Sequence, residues 1–263
     1  MMKTDTLDQI AYALYKAERE RTEVTKFVDQ YPELTVETAY NIQDKLIELK
    51  CTYEETTISG LKLGLTSKAK QQMMGVHEPS YGVLLANMEL NAKQPISLKS
   101  FIHPKIEPEI AFVFRQDLSG PIVTVAQVLE ATDYVAPAME IIDSRYLNFN
   151  FTLPDVIADN SSSSRYIVSS QKYAVNEVDL VNMGCIFTQN DEIFATSTAG
   201  SVMGHPARAI AWMANKLIAR GQHIRAGDIV LSGALTGSAT MYAGDNFTVS
   251  FDGMEALTVQ VER

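Results

Sequence analysis

The sequence predicts an α+β fold, and three observations carry that prediction. Apolar residues recur at helical spacing over residues 1–60, and short runs of strand character dominate after residue 100. Those strands do not alternate regularly with helices, which argues against a doubly wound parallel sheet. With 46% apolar residues among 263, the chain can bury a substantial core, as one large domain or two small ones.

In chain order, Leu7, Ile10, Leu14 and Ala17 predict a helix over 6–21, and Val36, Ala39, Tyr40, Leu46 and Ile47 predict a second one following Thr35. The run Gly60-Leu61-Lys62-Leu63-Gly64-Leu65-Thr66 reads as a strand entering a glycine-flanked turn. A short helix over 67–74 follows, capped by Ser67 and stopped by Gly75. Strands are expected at 110–114, 134–142, 165–169, 183–188, 193–197, 229–232, 247–251 and 257–261. Two helices interrupt them. One opens on the capping box Thr124 to Gln127; the other has Pro206 near its start, Ile210, Met213, Ala214, Leu217 and Ile218 on its core face, and Gly221 past its end. The polar stretch 159–165 is short and flanked by apolar segments, so it reads as an ordered loop. The organisation expected is a helical region over 1–66 and a strand-rich region over 67–263, forming one integrated unit.

A formal charge of −10, from 22 Lys plus Arg against 32 Asp plus Glu, disfavours binding to nucleic acid or to an anionic membrane surface. An anionic small molecule would need a local cation. Cys51 and Cys185 fit neither a disulfide framework nor a zinc cluster, the N-terminus lacks an apolar signal core, and no stretch approaches the roughly 20 apolar residues that span a bilayer. A reduced protein of the cytoplasm is the expectation.

Glu107 and Glu109 stand two apart just before an apolar strand, and residues i and i+2 of a strand share a face. Two like charges so placed repel, and burial would raise their pKa values unless a cation held them. A third acid, Glu140, lies inside the apolar run 135–142. Together the three are candidates for an all-oxygen Mg²⁺ or Mn²⁺ site; the competing reading is the solvated face of an edge strand. Lys62, read on its own residue type and place, is a solvated strand residue. The four histidines show no ligand spacing, and His205, beside a helix start, suits a capping role.

The ordered set Gly60-Leu-Lys62-Leu-Gly-Leu-Thr66-Ser67, Glu107-Pro-Glu109, Glu140-Ile-Ile-Asp143-Ser-Arg145, Ala158-Asp159-Asn160 and Gly227-Asp-Ile-Val-Leu-Ser232-Gly233 resembles the hydratase/decarboxylase branch of the fumarylacetoacetate hydrolase superfamily. The resemblance runs from the second helix to the C-terminus. It implies a mixed β-roll with an N-terminal helical cap and one divalent metal, Mg²⁺ or Mn²⁺, on Glu107, Glu109 and Glu140. It further implies a 2-oxo acid substrate chelating that metal, with Lys62, Ser162 and Ser232 holding the chelated end. The resemblance leaves proton delivery to the dienolate carbon unassigned; Lys62 is the best-placed cationic candidate for it, and Arg145 is the candidate to steer a second carboxylate. A homo-oligomer is implied too, and association with a sister hydratase fits the branch.

Two sister activities share the branch: decarboxylation of 2-oxo-3-hexenedioate and hydration of 2-hydroxypenta-2,4-dienoate, both through a dienolate. Decarboxylation is favoured by the segment 143–151, with its Arg145-Tyr146 and Asn148-Phe149 pairs, by the Ser-Ser-Arg165 end of the serine loop, and by Ser80, where hydratases carry an aspartate. Hydration is favoured by Gly75-Val-His77-Glu-Pro79 and by Ser232-Gly-Ala-Leu235. An acylpyruvate-type hydrolase would need a His-Glu dyad that is not evident, and a noncatalytic partner subunit is the non-enzymatic alternative.

Overall fold

The computed structural model describes residues 2–73 and 75–263, with the side chains at 69, 70 and 73 outside the described set. Helices α1 (Thr4–Glu20) and α2 (Val36–Tyr53) form the N-terminal layer. Ile10, Ala11, Leu14 and Ala17 make the buried stripe of α1, as their spacing predicts, and the Thr35 hydroxyl caps α2 by accepting from Thr38 N. The short helix α3 spans Lys68–Met73; the expected last residue, Met74, lies outside the described residues.

The strands are β1 (Ile58–Gly64), β2 (Ser80–Leu85), β3 (Lys105–Phe114), β4 (Thr132–Ile142), β5 (Ser163–Val168), β6 (Gly184–Gln189), β7 (Glu192–Thr198), β8 (Ile229–Leu231), β9 (Ala239–Thr240), β10 (Asn246–Phe251) and β11 (Leu257–Gln260). The larger sheet runs β2-β1-β8-β3-β4-β5, with β9 also on β3; the smaller runs β11-β10-β6-β7. Strands β1 and β8 pair in parallel and the other described strand pairs of the larger sheet are antiparallel, so that sheet is mixed. Inward residues such as Ile110, Phe112, Met139, Phe187 and Phe247 are fully buried and join both sheets in one apolar core. Helices α4 (Val125–Ala131) and α6 (Pro206–Ala219) pack together on the outside, and α5 (Leu153–Ala158) sits against α2. The imidazole Nδ1 of His205 accepts from Ala207 N at 3.0 Å, the capping role its position suggested.

Three differences from the sequence reading have physical causes. Strand β1 belongs to the sheet, seated between β2 and β8, so a boundary at residue 66 cuts between paired strands; the helical layer ends with α2. Strand β3 starts at Lys105, five residues earlier than the apolar run. Its Pro108, ordinarily a strand breaker, falls in a gap: β8 pairs with residues 111–113, β9 pairs with 105 and 106, and Pro108 only accepts, from Leu235 N at 3.0 Å. Strand β2 was not expected, because all six of its residues are buried and it shows no alternation to read. Among the described residues no helix is long and apolar enough to cross a membrane.

Candidate active site

Glu107 and Glu140 are directly opposed across β3 and β4, and Glu109 lies one pleat further along β3 on the same face. Carboxylate oxygens of all three lie within 4.8 Å of one another. Glu109 and Glu140 are wholly buried and Glu107 is 7% exposed, which rules out a solvated strand face. Glu109 Oε2 accepts from Gly233 N at 2.7 Å, in the gap that Pro108 leaves open; among the described residues no donor reaches Glu109 Oε1 or either oxygen of Glu140 with full hydrogen-bond geometry. Gly233 has φ 106°, and a Cβ there would fall 2.4 Å from Thr66 Oγ1, so only glycine lets this amide approach.

Lys62 on β1 is 2% exposed, and its Nζ lies 3.2 Å from Glu140 Oε2, an ion-pair contact off the hydrogen-bond direction. The solvated reading of Lys62 is therefore wrong: its ammonium is buried against Glu140. Burial raises the pKa of Glu109 well above the ordinary 4.5, with Glu140 and Glu107 adding to it and Lys62 opposing. Burial likewise raises Glu140, with Lys62 partly offsetting and Glu107 adding. Buried carboxylate oxygens converging from Glu107, Glu109 and Glu140, with Glu109 Oε1 and both oxygens of Glu140 lacking a well-aligned hydrogen-bond donor among the described residues, fit a hard divalent cation with oxygen ligands.

The raised values give the cation a pH signature. In the metal-free fold Glu109 and Glu140 favour their protonated forms, so the stability these two contribute is present below 4.5 and is lost as pH rises through the folded values. A cation needs them ionised and competes with protons. The rise in Tm between EDTA and Mg²⁺ should therefore grow from about pH 5 to about pH 8; an increment independent of pH in thermal melts would contradict this assignment of the acids.

The serine loop closes the site. Asn160, Ser161 and Ser162 have φ of 50°, 51° and 57°, three consecutive left-handed residues without a glycine. Val83 holds Asn160 from both sides: its N donates to Asn160 Oδ1 at 2.7 Å and its O accepts from Asn160 Nδ2 at 2.9 Å. Ser161 Oγ donates to Tyr81 O at 3.0 Å and to Ser80 Oγ at 3.1 Å. A Cβ built on Gly64 would lie 2.8 Å from Ser80 Oγ and 3.9 Å from Lys62 Nζ, so Ser80 stands beside the lysine. The hydroxyls of Ser162 and Ser232 are buried with no hydrogen-bond partner among the described residues.

Arg145 does not take the place expected for it. It is 1% exposed, and its Nε donates to Asp159 Oδ1 while Nη2 donates to Asp159 O at 2.5 Å; Nη1 donates to Asp143 O at 2.7 Å and to Ser163 O at 3.2 Å. Glu18 of α1 lies 4.0 Å from Nη1 and is itself held by Lys50 of α2 at 2.8 Å. A guanidinium so engaged cannot steer a substrate carboxylate; it fastens the carbonyls at both ends of the left-handed turn and ties them to the helical layer. Sequence spacing hid this because Asp159 and Glu18 are remote in the chain. Removing one partner of a buried ion network leaves the others uncompensated, so Arg145→Met should cost about 3–5 kcal/mol. Urea denaturation measures it, and a loss below about 1 kcal/mol would mean that the network is not needed for folding.

A family model for the fumarylacetoacetate (FAA) hydrolase C-terminal domain matches residues 57–262. The chain is 39% identical over 257 residues to a 4-oxalocrotonate decarboxylase of Pseudomonas sp. (strain CF600), covering 97% of each. It is 38% identical over 249 residues to a 2-hydroxyhexa-2,4-dienoate hydratase of Comamonas testosteroni, covering 94% of each. Among solved structures, the 4-oxalocrotonate decarboxylase of Pseudomonas putida G7 complexed with magnesium and adipate superposes with a TM-score of 0.95 at 35% identity, over 99% of both chains. With matches that span both the helical layer and the two sheets, the chain belongs to the fumarylacetoacetate hydrolase family.

Proposed function

We propose that this chain is a Mg²⁺-dependent carbon–carbon lyase that converts 2-oxo-3-hexenedioate into 2-hydroxypenta-2,4-dienoate and CO₂. The observation that carries the reading is the buried triad Glu107, Glu109 and Glu140 with Lys62 Nζ 3.2 Å from Glu140. Support comes from two decarboxylase relatives at 39% identity and from the related structure that holds magnesium and adipate, a saturated six-carbon diacid. Mn²⁺ is the alternative ion for the same three ligands.

Held by the three glutamates, the cation would supply Lewis acidity to the substrate's C2 oxygen. The C5–C6 bond breaks, CO₂ departs, and the bonding pair forms C4=C5; the C3=C4 pair shifts to C2=C3, and the C2=O pair ends on oxygen. Lys62 Nζ lies at that end and is the group assigned to hand a proton to the C2 oxygen, giving the dienol. Ser162 and Ser232, whose buried hydroxyls lack partners among the described residues, are assigned as donors to the chelated carboxylate. Burial of every one of these groups keeps water from the reacting end.

Hydration of 2-hydroxypenta-2,4-dienoate is the second reading, favoured by the hydratase relative at 38% identity. Water addition needs a group that moves a proton to or from water, and Ser80, bonded to Ser161 and 1% exposed, is a poor one at neutral pH. The purified protein with Mg²⁺, offered 2-oxo-3-hexenedioate and 2-hydroxypenta-2,4-dienoate separately, should release CO₂ from the first and leave the second unhydrated. Hydration without CO₂ release would reverse the assignment. The family resemblance further assigns a homo-oligomer able to associate with the sister hydratase, and the unpaired Cys51 and Cys185 suit the cytoplasm. Sedimentation of the protein alone and mixed with that hydratase tests the assembly.

A further inference from the structure

With Arg145 committed elsewhere, the distal carboxylate of a six-carbon diacid needs another cation. We infer that Lys105, seated on the ring of Phe149 at the N-terminal end of β3, is that cation and sets the preference for a dioate; this rests on the decarboxylase reading above.

Four observations converge on it. Lys105 precedes Glu107 by two residues and shares its face of β3 with Glu107 and Glu109. The step between them is about 6.6 Å along the strand, and five carbon–carbon bonds of about 1.5 Å in zigzag span roughly 6 Å. A diacid chelated at the glutamates thus reaches one pleat along β3. Exposure also rises in that direction, from none at Glu109 to 7% at Glu107 and half-buried at Lys105, so the site opens toward the lysine.

The ammonium is positioned but has no acid to answer it. Its Nζ sits 4.1 Å from the centroid of Phe149, and no carboxylate among the described residues lies within ion-pair distance of it. The nearby Glu23 is engaged otherwise, accepting from Asn148 N at 3.0 Å and facing His103 Nδ1 at 3.2 Å. Finally, Asn148 and Phe149 both have φ of 55°, a pair of left-handed residues in the segment 143–151 that the chemistry at the glutamates leaves unused. His103, 4.5 Å from Phe149 by ring centroids, backs that ring. The strained turn presents Phe149 under Lys105.

The pairing makes a kinetic statement. Decarboxylation removes the charge that Lys105 binds, so the contact is stronger in the bound substrate than in the transition state and serves affinity rather than bond breaking. Lys105→Met should raise KM for 2-oxo-3-hexenedioate about 10- to 100-fold, with kcat unchanged or higher. A readout that needs no turnover uses the Mg²⁺-loaded protein and calorimetry with 2-oxohexanedioate and 2-oxohexanoate, which differ in the distal carboxylate alone. The wild type should bind the dioate about 10- to 100-fold tighter; Lys105→Met should lose that ratio while keeping its affinity for the monoacid and for Mg²⁺, and Lys105→Arg should retain it. An unchanged ratio in Lys105→Met, or a wild type that binds both acids equally, overturns the inference. If the wild type discriminates through Lys105 yet releases no CO₂, the decarboxylase reading fails and the distal site stands.

Discussion

Glu109→Gln is expected to abolish the rise in Tm on adding Mg²⁺ and to lower CO₂ release by on the order of 10³-fold or more, while the metal-free protein keeps its stability near pH 7. The argument rests on what glutamine imitates. Glu109 is wholly buried, its pKa is raised mainly by burial, and one oxygen accepts from Gly233 N at 2.7 Å. Glutamine has the shape of the protonated acid and can still accept from that amide, so the metal-free fold loses little. What it cannot do is carry the negative charge that a divalent cation requires. Lewis acidity is worth several kcal/mol in a reaction that puts charge on a carbonyl oxygen, and each 1.36 kcal/mol is tenfold in rate. A further consequence separates this from general damage. Because the titrating group is gone, the metal-free stability of Glu109→Gln should vary less with pH than that of the wild type. Retained Mg²⁺ binding by calorimetry, or a variant that unfolds without metal, would remove Glu109 from the ligand set.

How far this site is legible in the sequence depends on the kind of contact. The pairing of Glu107 with Glu109 follows from the two-residue period of a strand, and the anomaly of charge among apolar neighbours flags Glu140. That these acids meet is a matter of register, Glu107 opposite Glu140, which no local pattern encodes. The helices of the N-terminal layer and most strands are legible because their apolar periodicity is strong; β2 is not, since burial on both faces erases the alternation. Arg145 shows the limit from the other side. Its chemistry suggests an anion, and the anion is Asp159, supplied from the far side of a helix and reachable only in three dimensions. Lys105 shows it again: as a strand residue beside a proline it carries no signal until Phe149 and the direction of opening are known.

Lys62→Met is expected to lower kcat by about 10²- to 10⁴-fold, the range for loss of a positioned acid or base, while Mg²⁺ binding is kept or tightened. Lys62 Nζ and a divalent cation both answer the charge of Glu140, so in the metal-free protein the lysine partly does the work of the metal. Removing it takes away a repulsive neighbour of the cation, and affinity for Mg²⁺ should not fall. It also takes from the wholly buried Glu140 the ammonium that now lies 3.2 Å away, so the metal-free variant should be less stable than the wild type and regain more on adding Mg²⁺. The two halves of the result bear on different claims. A drop in kcat with intact Mg²⁺ binding places Lys62 in proton handling. Parallel losses of kcat and Mg²⁺ affinity would make it a support of the metal site alone, and unchanged turnover would take it out of the chemistry. Lys62→Arg sharpens the distinction. Arginine keeps the charge beside Glu140 but scarcely gives up its proton at neutral pH, so a proton carrier is not rescued by it whereas a purely electrostatic group is. Turnover in Lys62→Arg close to that of Lys62→Met, with metal-free stability close to the wild type, is the outcome expected of a lysine that moves a proton.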